Sequence, residues 1–409
     1  MKRKLPVYSL GLLVLLIVAL GFTPILRSVY FYLAAGLYSL YVIVRHSKSK
    51  YFRQNKTLVI NVVAFILMVL FYKILNVSTA ATISIIQDVF FFIPLLLMPL
   101  IVGSNLNQKQ VNWLIGLTLV IVSVNIADNI RLCILHPEIL IFVNRYLLSD
   151  DIEGIGNVGS STWYNGLYFF FTICFFAFIN TSSKIMKRAM LASLILSAVF
   201  ILFFCYKAAI VVFSTLSVCL LIYAKKMKSF AGLVLVSLFG ISFVMLFADA
   251  IVDMLRSMIS SDRLLSRLLV LIDADSAGAG EGEVTLNARA RLWMESINTW
   301  LANPVNFIFG IGAPPVSDAH QGVSQHSSFF DSFAKYGLIG GFLIFNSLRI
   351  SYRYVQSLYG RKERPQIFVI AMLFMFFCIT KGVFTPAIGS MLFIMLPLLS
   401  NQNQNKKFA

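Results

Sequence analysis

The sequence predicts an all-α polytopic membrane protein with about 12 transmembrane helices, both termini in the cytoplasm and one large outer loop. Three observations predict it. Hydrophobic residues make up 59% of the 409 and charged residues only 12%, with a mean hydropathy of +0.84; a soluble domain carries about a quarter charged residues, and a disordered chain lacks this much apolar surface. Apolar stretches close to the roughly 20 residues that cross a bilayer recur along the chain. The basic residues collect in alternate connecting loops.

The stretches lie near 7–25, 30–44, 57–75, 82–102, 111–130, 163–180, 189–206, 208–224, 229–248, 328–347, 366–383 and 385–400. The second and last are the shortest. The first follows a basic Met1-Lys-Arg-Lys start and reads as a retained helix, because eleven further spans follow where a cleaved signal peptide would end. With the N-terminus inside, the cytoplasmic loops hold 22 of the 34 basic residues, from Lys2, Arg3 and Lys4 to Lys406 and Lys407, and one acid, Glu363. The net charge of +17 then divides into +21 inside and −4 elsewhere. That is the positive-inside pattern, so the charge reports topology and not nucleic-acid binding.

Three regions follow: helices 1–9 in residues 1–248, a large outer loop with amphipathic helices in 249–327, and helices 10–12 with a cytoplasmic tail in 328–409. Residues 131–162 form a second, smaller outer loop, and the inner loops are all short, so function is expected on the outer face. Four of the five cysteines fall within expected helices and no CxxC occurs; they read as packing residues, with no disulfide and no metal site.

In the large loop, residues 249–273 read as helical, with Arg256, Arg263 and Arg267 among Leu and Met. Residues 274–283 form a flexible acidic linker that lacks the Lys-Ser/Thr of a phosphate loop. Asn287 reads as the N-cap of a helix over 288–302, stopped by Asn303-Pro304. Trp293, Ile297 and Trp300 form one apolar stripe on it, and Arg289, four residues before Trp293, shares that stripe. Arg291 can pair with Glu295. Two readings of Arg289 stand side by side: an arginine holding lipid headgroups at the interface, or a fork-shaped donor to a diphosphate. Residues 307–315 read as a turn that brings the loop back to the membrane. Three of the four histidines, His136, His320 and His326, fall on the outer side. His326 immediately precedes an apolar helix that carries Asp331 and Lys335 four residues apart, and whose Gly337, Gly340 and Gly341 permit close packing. Taken alone, His326 is a surface histidine at membrane level.

Other polar features carry less. Asp128 is placed to pair with Arg131, one turn on, and Asp88 lies within a span. The Gly/Ser/Thr-rich stretch 154–162, followed by Trp163 and Tyr164, suits glycan by composition alone.

The run His326-Ser327, nine residues, Gly337-Leu-Ile-Gly340 resembles the H-[N/S/Q]-x9-G-x-x-G pattern of bacterial O-antigen ligases and O-antigen or capsule repeat-unit polymerases, the Wzy-type enzymes. Arg289-Ala-Arg-Leu-Trp293, with Pro304 and Phe309-Gly-Ile-Gly312 after it, is similar to the same family's Arg-x-x-x-Trp and Phe-Gly-x-Gly segments. The motif-bearing resemblance covers about 55 residues, 287–341. Where that family often has Ser-Arg at the outer mouth of an earlier helix, this chain has Tyr206-Lys207, which keeps the charge and loses the bidentate fork. Lys207 would stand at the start of the next helix, where the macrodipole also favours an anion.

The resemblance implies a glycosyltransferase of the bacterial inner (cytoplasmic) membrane that polymerises undecaprenyl-diphosphate-linked oligosaccharide repeat units into O-antigen or capsular polysaccharide. It would work by metal-independent inverting transfer on the outer face, with no cofactor. It implies His326 as base for the acceptor hydroxyl, Arg289 at the leaving diphosphate, and Arg291 and Lys207 as further diphosphate-binding residues. The implied partners are the lipid-linked oligosaccharide, membrane lipids and a chain-length regulator protein, with no nucleic acid. Two other functions stand beside it: an O-antigen ligase transferring glycan to lipid A-core, and, from a different class, a transporter or flippase of lipid-linked glycans. The sequence shows no repeat signature of the kind transporters carry.

Overall fold

A computed structural model of the chain describes residues 7–23, 29–46, 53–75, 81–103, 106–135, 161–203, 208–226, 286–312, 323 and 327–404. Among the described residues all regular structure is helical and there is no strand. The helices are α1 (Val7–Phe22), α2 (Val29–His46), α3 (Lys56–Leu75), α4 (Ala81–Gly103), α5 (Gln108–Leu135), α6 (Ser161–Asn180), α7 (Lys184–Phe203), α8 (Ala208–Lys226), α9 (Leu286–Leu301), α10 (Pro304–Phe309), α11 (Ser328–Leu358), α12 (Arg364–Thr380), α13 (Pro386–Ser390) and, after a π-helical turn over Met391–Met395, α14 (Leu396–Gln404). Eleven of the expected apolar stretches fall on these helices; 229–248 lies outside the described residues, as does the acidic linker. α5, α6 and α7 contain segments long and apolar enough to cross a membrane, and six further apolar helices are shorter.

Most of the long helices are apolar on both faces, as lipid-embedded helices are, while α9 is amphipathic. On α5, Val111, Leu114, Ile115, Thr118, Leu119, Val122, Ile126 and Cys133 recur at helical spacing and are buried. Trp113, Val120 and Val124, on the opposite side of the same helix, are exposed.

The innermost element is the C-terminal one. Residues 383–400, which hydropathy marks as one of the shortest apolar stretches, are buried without interruption. They pack against α1, α4, α5 and α6. A Cβ on Gly21 of α1 would meet the backbone nitrogen and Cα of Ala387 at 2.6 and 2.7 Å, so only glycine allows α1 to lie this close to α13. At the expected inner end, two buried polar side chains tie helices together. Gln366 Nε2 donates to the Leu221 carbonyl at 3.1 Å while its Oε1 accepts from Asn180 Nδ2 at 2.8 Å, which ties α6, α8 and α12 together. The Tyr359 hydroxyl donates to the Leu396 carbonyl at 2.6 Å, just past the π turn.

A larger side chain at Gly21 is therefore expected to wedge α1 away from α13. Gly21→Leu should lower the thermal unfolding midpoint of the purified protein in lipid nanodiscs, whereas Gly116→Leu, whose added Cβ meets nothing within 4 Å, should leave it unchanged or slightly raised. Differential scanning fluorimetry of the two variants checks this.

Candidate active site

The end of the bundle expected to face outward is organised by a break in α11. Gly337 has φ 60° and ψ −165° inside an otherwise regular helix. Gly310, which ends α10, has φ 76° and ψ −177°, and Gly312 has φ 79°. Residues 337 and 310 thus both occupy a backbone region open essentially to glycine alone. The two are in contact. A Cβ on Gly310 would strike the Lys335 carbonyl, and a Cβ on Gly337 would strike the Ile308 carbonyl. The carbonyls that the break removes from the helix ladder are taken up by the turn: Ile311 N donates to Ala334 O at 2.9 Å and Gly312 N to Lys335 O at 2.8 Å. Phe309-Gly-Ile-Gly312 and the first glycine of Gly337-Leu-Ile-Gly340 are two halves of one joint. Gly340 serves a different purpose, since a Cβ there would meet Tyr336 Cβ of the same helix and the Met68 methyl of α3.

α9 is held on α11 beside this joint. Trp293 lies against Phe330, with ring centroids 5.8 Å apart, and Trp300 packs on both Phe307 (5.3 Å) and Phe333 (4.7 Å). Between them, buried Ser296 donates its hydroxyl to Asp331 Oδ1 at 2.7 Å. Asp331 Oδ2 accepts from Ser327 N at 3.2 Å. Ser327 caps α11 by accepting from Phe330 N at 3.2 Å and donates its hydroxyl to the Cys378 carbonyl. Ser328 N donates to Lys381 O at 3.0 Å, and Ser328 Oγ accepts from Val383 N at 2.7 Å. Asn165 of α6 donates to Gly382 O at 3.0 Å. The start of α11 is thereby fixed from α9, from α12 and from the link into α13.

Residues 191–345 match the family described as O-antigen ligase. The match covers 155 of the chain's 409 residues. No curated protein matches the chain. The O-antigen ligase match begins within α7, ends within α11 and takes in the joint, the α9–α11 contact and the positions of His326, Arg289, Arg291 and Lys207.

His326 and Lys207 lie outside the described residues, as do His136 and His320. Arg289 and Arg291 lie on the backbone of α9, with their side chains outside the described set. The register of α9 is set by its neighbours: Trp293 is level with Phe330 and Trp300 with Phe333. Position 289, one turn before Trp293, accordingly falls toward the α11 start, the end at which Ser327 follows His326. Ser296 is the residue that sequence reasoning missed, and with it the role of Asp331 as its partner. Asp331 shares the helix face expected for a pair with Lys335, while both its oxygens are engaged by the Ser296 hydroxyl and the Ser327 amide; the one local signal was a serine at a helix start with an acid four residues on. Trp163 and Tyr164 are fully buried and hence core, not glycan-facing surface. Trp163 Nε1 donates to Asn125 Oδ1 at 2.7 Å. Asp128 pairs with Arg131 at 3.0 Å as expected from their spacing. The side chain of Asp88 is outside the described set.

Two outcomes follow from this geometry. Gly310→Ala and Gly337→Ala each place a side chain in a glycine-only backbone region, costing on the order of 1–3 kcal/mol before any clash. The double variant should cost clearly less than the sum, because either change opens the same joint; denaturation of the three variants measures it. Asp331→Ala strands a buried hydroxyl and the Ser327 amide, each worth about 1–3 kcal/mol. It should destabilise more than Asp331→Asn, which keeps an acceptor oxygen, and equal melting temperatures for the two would contradict the clamp.

Proposed function

We propose that the chain is a polymerase of undecaprenyl-diphosphate-linked oligosaccharide repeat units, working at the outer face of the bacterial inner membrane. The observation that supports this most is the clamp at Asp331, which joins α9, the helix whose backbone carries position 289, to Ser327 at the start of α11. In the proposed reaction the acceptor hydroxyl oxygen bonds to the anomeric carbon of the donor repeat unit from the face opposite the diphosphate. The bond from that carbon to the diphosphate oxygen breaks, and undecaprenyl diphosphate departs with the electron pair, inverting the anomeric centre. His326, as a neutral imidazole, takes the hydroxyl proton. Arg289, with Arg291 or Lys207, neutralises charge on the departing diphosphate. Paired guanidinium groups do for the leaving group what a divalent ion does elsewhere, so turnover is expected to persist in EDTA. A chain-length regulator protein would act on the growing product.

The description of the matched family favours a second reading, transfer of the glycan to lipid A-core by the same donor chemistry. Purified protein given lipid-linked repeat units and lipid A-core separates the readings. Extended glycan means polymerase, glycan on the core means ligase, and a transporter would form no new glycosidic bond.

His326→Ala should reduce turnover by about 10²–10⁴-fold, the usual contribution of a positioned base, with protein abundance in the membrane unchanged. Arg289→Lys retains the charge but loses the second hydrogen bond and is expected to fall well below wild type, with Arg289→Ala lower still. Wild-type polymer length from Arg289→Lys would rule out the bidentate clamp.

A further inference from the structure

The segment from Leu301 to Gly312 belongs by sequence to the large outer loop, yet several of its polar groups are paired within it or with neighbouring helices, as those of a lipid-embedded segment are. Within it, Asn303 Oδ1 accepts from Asn306 N at 2.8 Å, Phe307 N donates to Asn303 O at 2.9 Å and Gly310 N to Asn306 O at 2.8 Å. Its outward carbonyls are taken by indole and phenol donors from neighbouring helices: Trp300 Nε1 donates to Phe307 O at 3.0 Å, and the Tyr72 hydroxyl of α3 donates to Phe309 O. Asn306 Nδ2 donates to Thr299 O at 3.2 Å. The amides of Ile311 and Gly312 close onto the carbonyls freed by the break in α11. Irregular backbone survives at membrane depth only when it is paired in this way.

The surface around these bonds is apolar. No charged residue occurs between Glu295 and Gly312. Leu301 and Val305 are 56% and 64% exposed, and Ile308 is 40% exposed. That surface continues on α11 as exposed Leu338, Ile339 and Phe342. If Arg349 marks the inner edge of the α11 span, as the positive-inside pattern has it, the outer edge lies twenty residues earlier, near Phe329. At about 1.5 Å per residue, Gly337 is then about 12 Å below that edge, and Leu338 to Phe342 lie near the middle of a core of about 30 Å. α10 docks at Gly337, so its exposed face adjoins the lipid-facing surface of α11 and not the aqueous compartment.

We propose that residues 301–312 are seated in the outer leaflet, with the exposed face of α10 on lipid acyl chains. The inference rests on the span assigned to α11 and not on the polymerase reading. It carries a consequence for the site: Trp293 is level with Phe330 in the first turn of α11, and position 289 lies one turn beyond. Arg289 is thereby held at the hydrocarbon edge, the level at which lipid phosphates lie.

Nitroxide labels test this on full-length protein in lipid nanodiscs, with the five native cysteines replaced. Labels are placed at Val305→Cys and Ile308→Cys, at Phe342→Cys as the lipid reference and at Lys362→Cys as the aqueous reference. Collision with oxygen is compared with collision with a water-soluble nickel chelate. The expected result is a ratio of oxygen to chelate accessibility at 305 and 308 several-fold above that at 362. Chelate access at 305 and 308 with Phe342→Cys in lipid would overturn the inference, and so would inaccessibility to both probes, which would mean protein covers the face. Chelate access at Phe342→Cys would overturn it through the span itself. A second measurement keeps all native cysteines: lipids brominated in the upper acyl chain should quench wild-type tryptophan emission more than that of Trp300→Phe. Equal quenching of the two would also overturn the inference.

Discussion

Among the described residues, the end of the bundle expected to face outward depends on one backbone joint. A helix interrupted within a bilayer exposes carbonyls that water cannot reach, and each unpaired group there costs several kcal/mol. α11 is interrupted at Gly337, and the freed carbonyls of Ala334 and Lys335 are met by Ile311 and Gly312 from a turn that itself needs a glycine-only conformation at Gly310. Neither half is stable without the other. Because α10 leads into the turn and α9 leads into α10, the joint fixes where the whole α9–α10 arm lies on the bundle.

The clamp at Asp331 adds direction to that attachment. A carboxylate accepting both the Ser296 hydroxyl and the Ser327 amide binds α9 laterally to the cap of α11. Two further bonds, Ser328 N to Lys381 O and Val383 N to Ser328 Oγ, staple the same cap to the link between α12 and α13, and Asn165 of α6 holds that link through Gly382 O. A base that must meet a hydroxyl within hydrogen-bond reach gains from such preorganisation, since misplacement by 1 Å lowers rate steeply. The inner end is tied differently, through the Gln366 amide network and the buried C-terminal helix, so support for the bundle and support for the site come from separate sets of residues.

The helical positions were legible because hydropathy is a local property, and the Trp293–Ile297–Trp300 stripe was legible because its period matches the helix. What hydropathy does not report is which helix is central. Residues 385–400 have a short apolar run because Thr385 caps the helix and the polar Ser400, Asn401 and Gln402 follow, yet shortness says nothing of burial, and these residues lie at the core. The glycines of 337–341 read as helix-packing residues, which holds for Gly340; the same residue type serves breaks and contacts alike, so the break at Gly337 had no separate signal. Trp163 and Tyr164 beside a polar stretch suggested a sugar platform, and their burial is a tertiary fact. The Asp331 clamp also joins residues 35 apart through a hydroxyl that carries no periodicity.

These features bear on why a family motif should contain glycines at all. In the proposed reaction neither Gly310 nor Gly337 touches substrate; His326 and Arg289 do. A lipid-anchored donor offers its diphosphate at one height, set by the bilayer, and a cation a turn too deep or too shallow would meet acyl chains or bulk water instead. Soluble enzymes let a substrate diffuse to the site, but here the site must be brought to the substrate's level. The joint does this by docking α10 at a fixed position along α11, from which α9 runs outward to position 289. On this view the Phe-Gly-x-Gly and Gly-x-x-G segments set the height of the charge, and the arginine and histidine perform the chemistry that the height makes available.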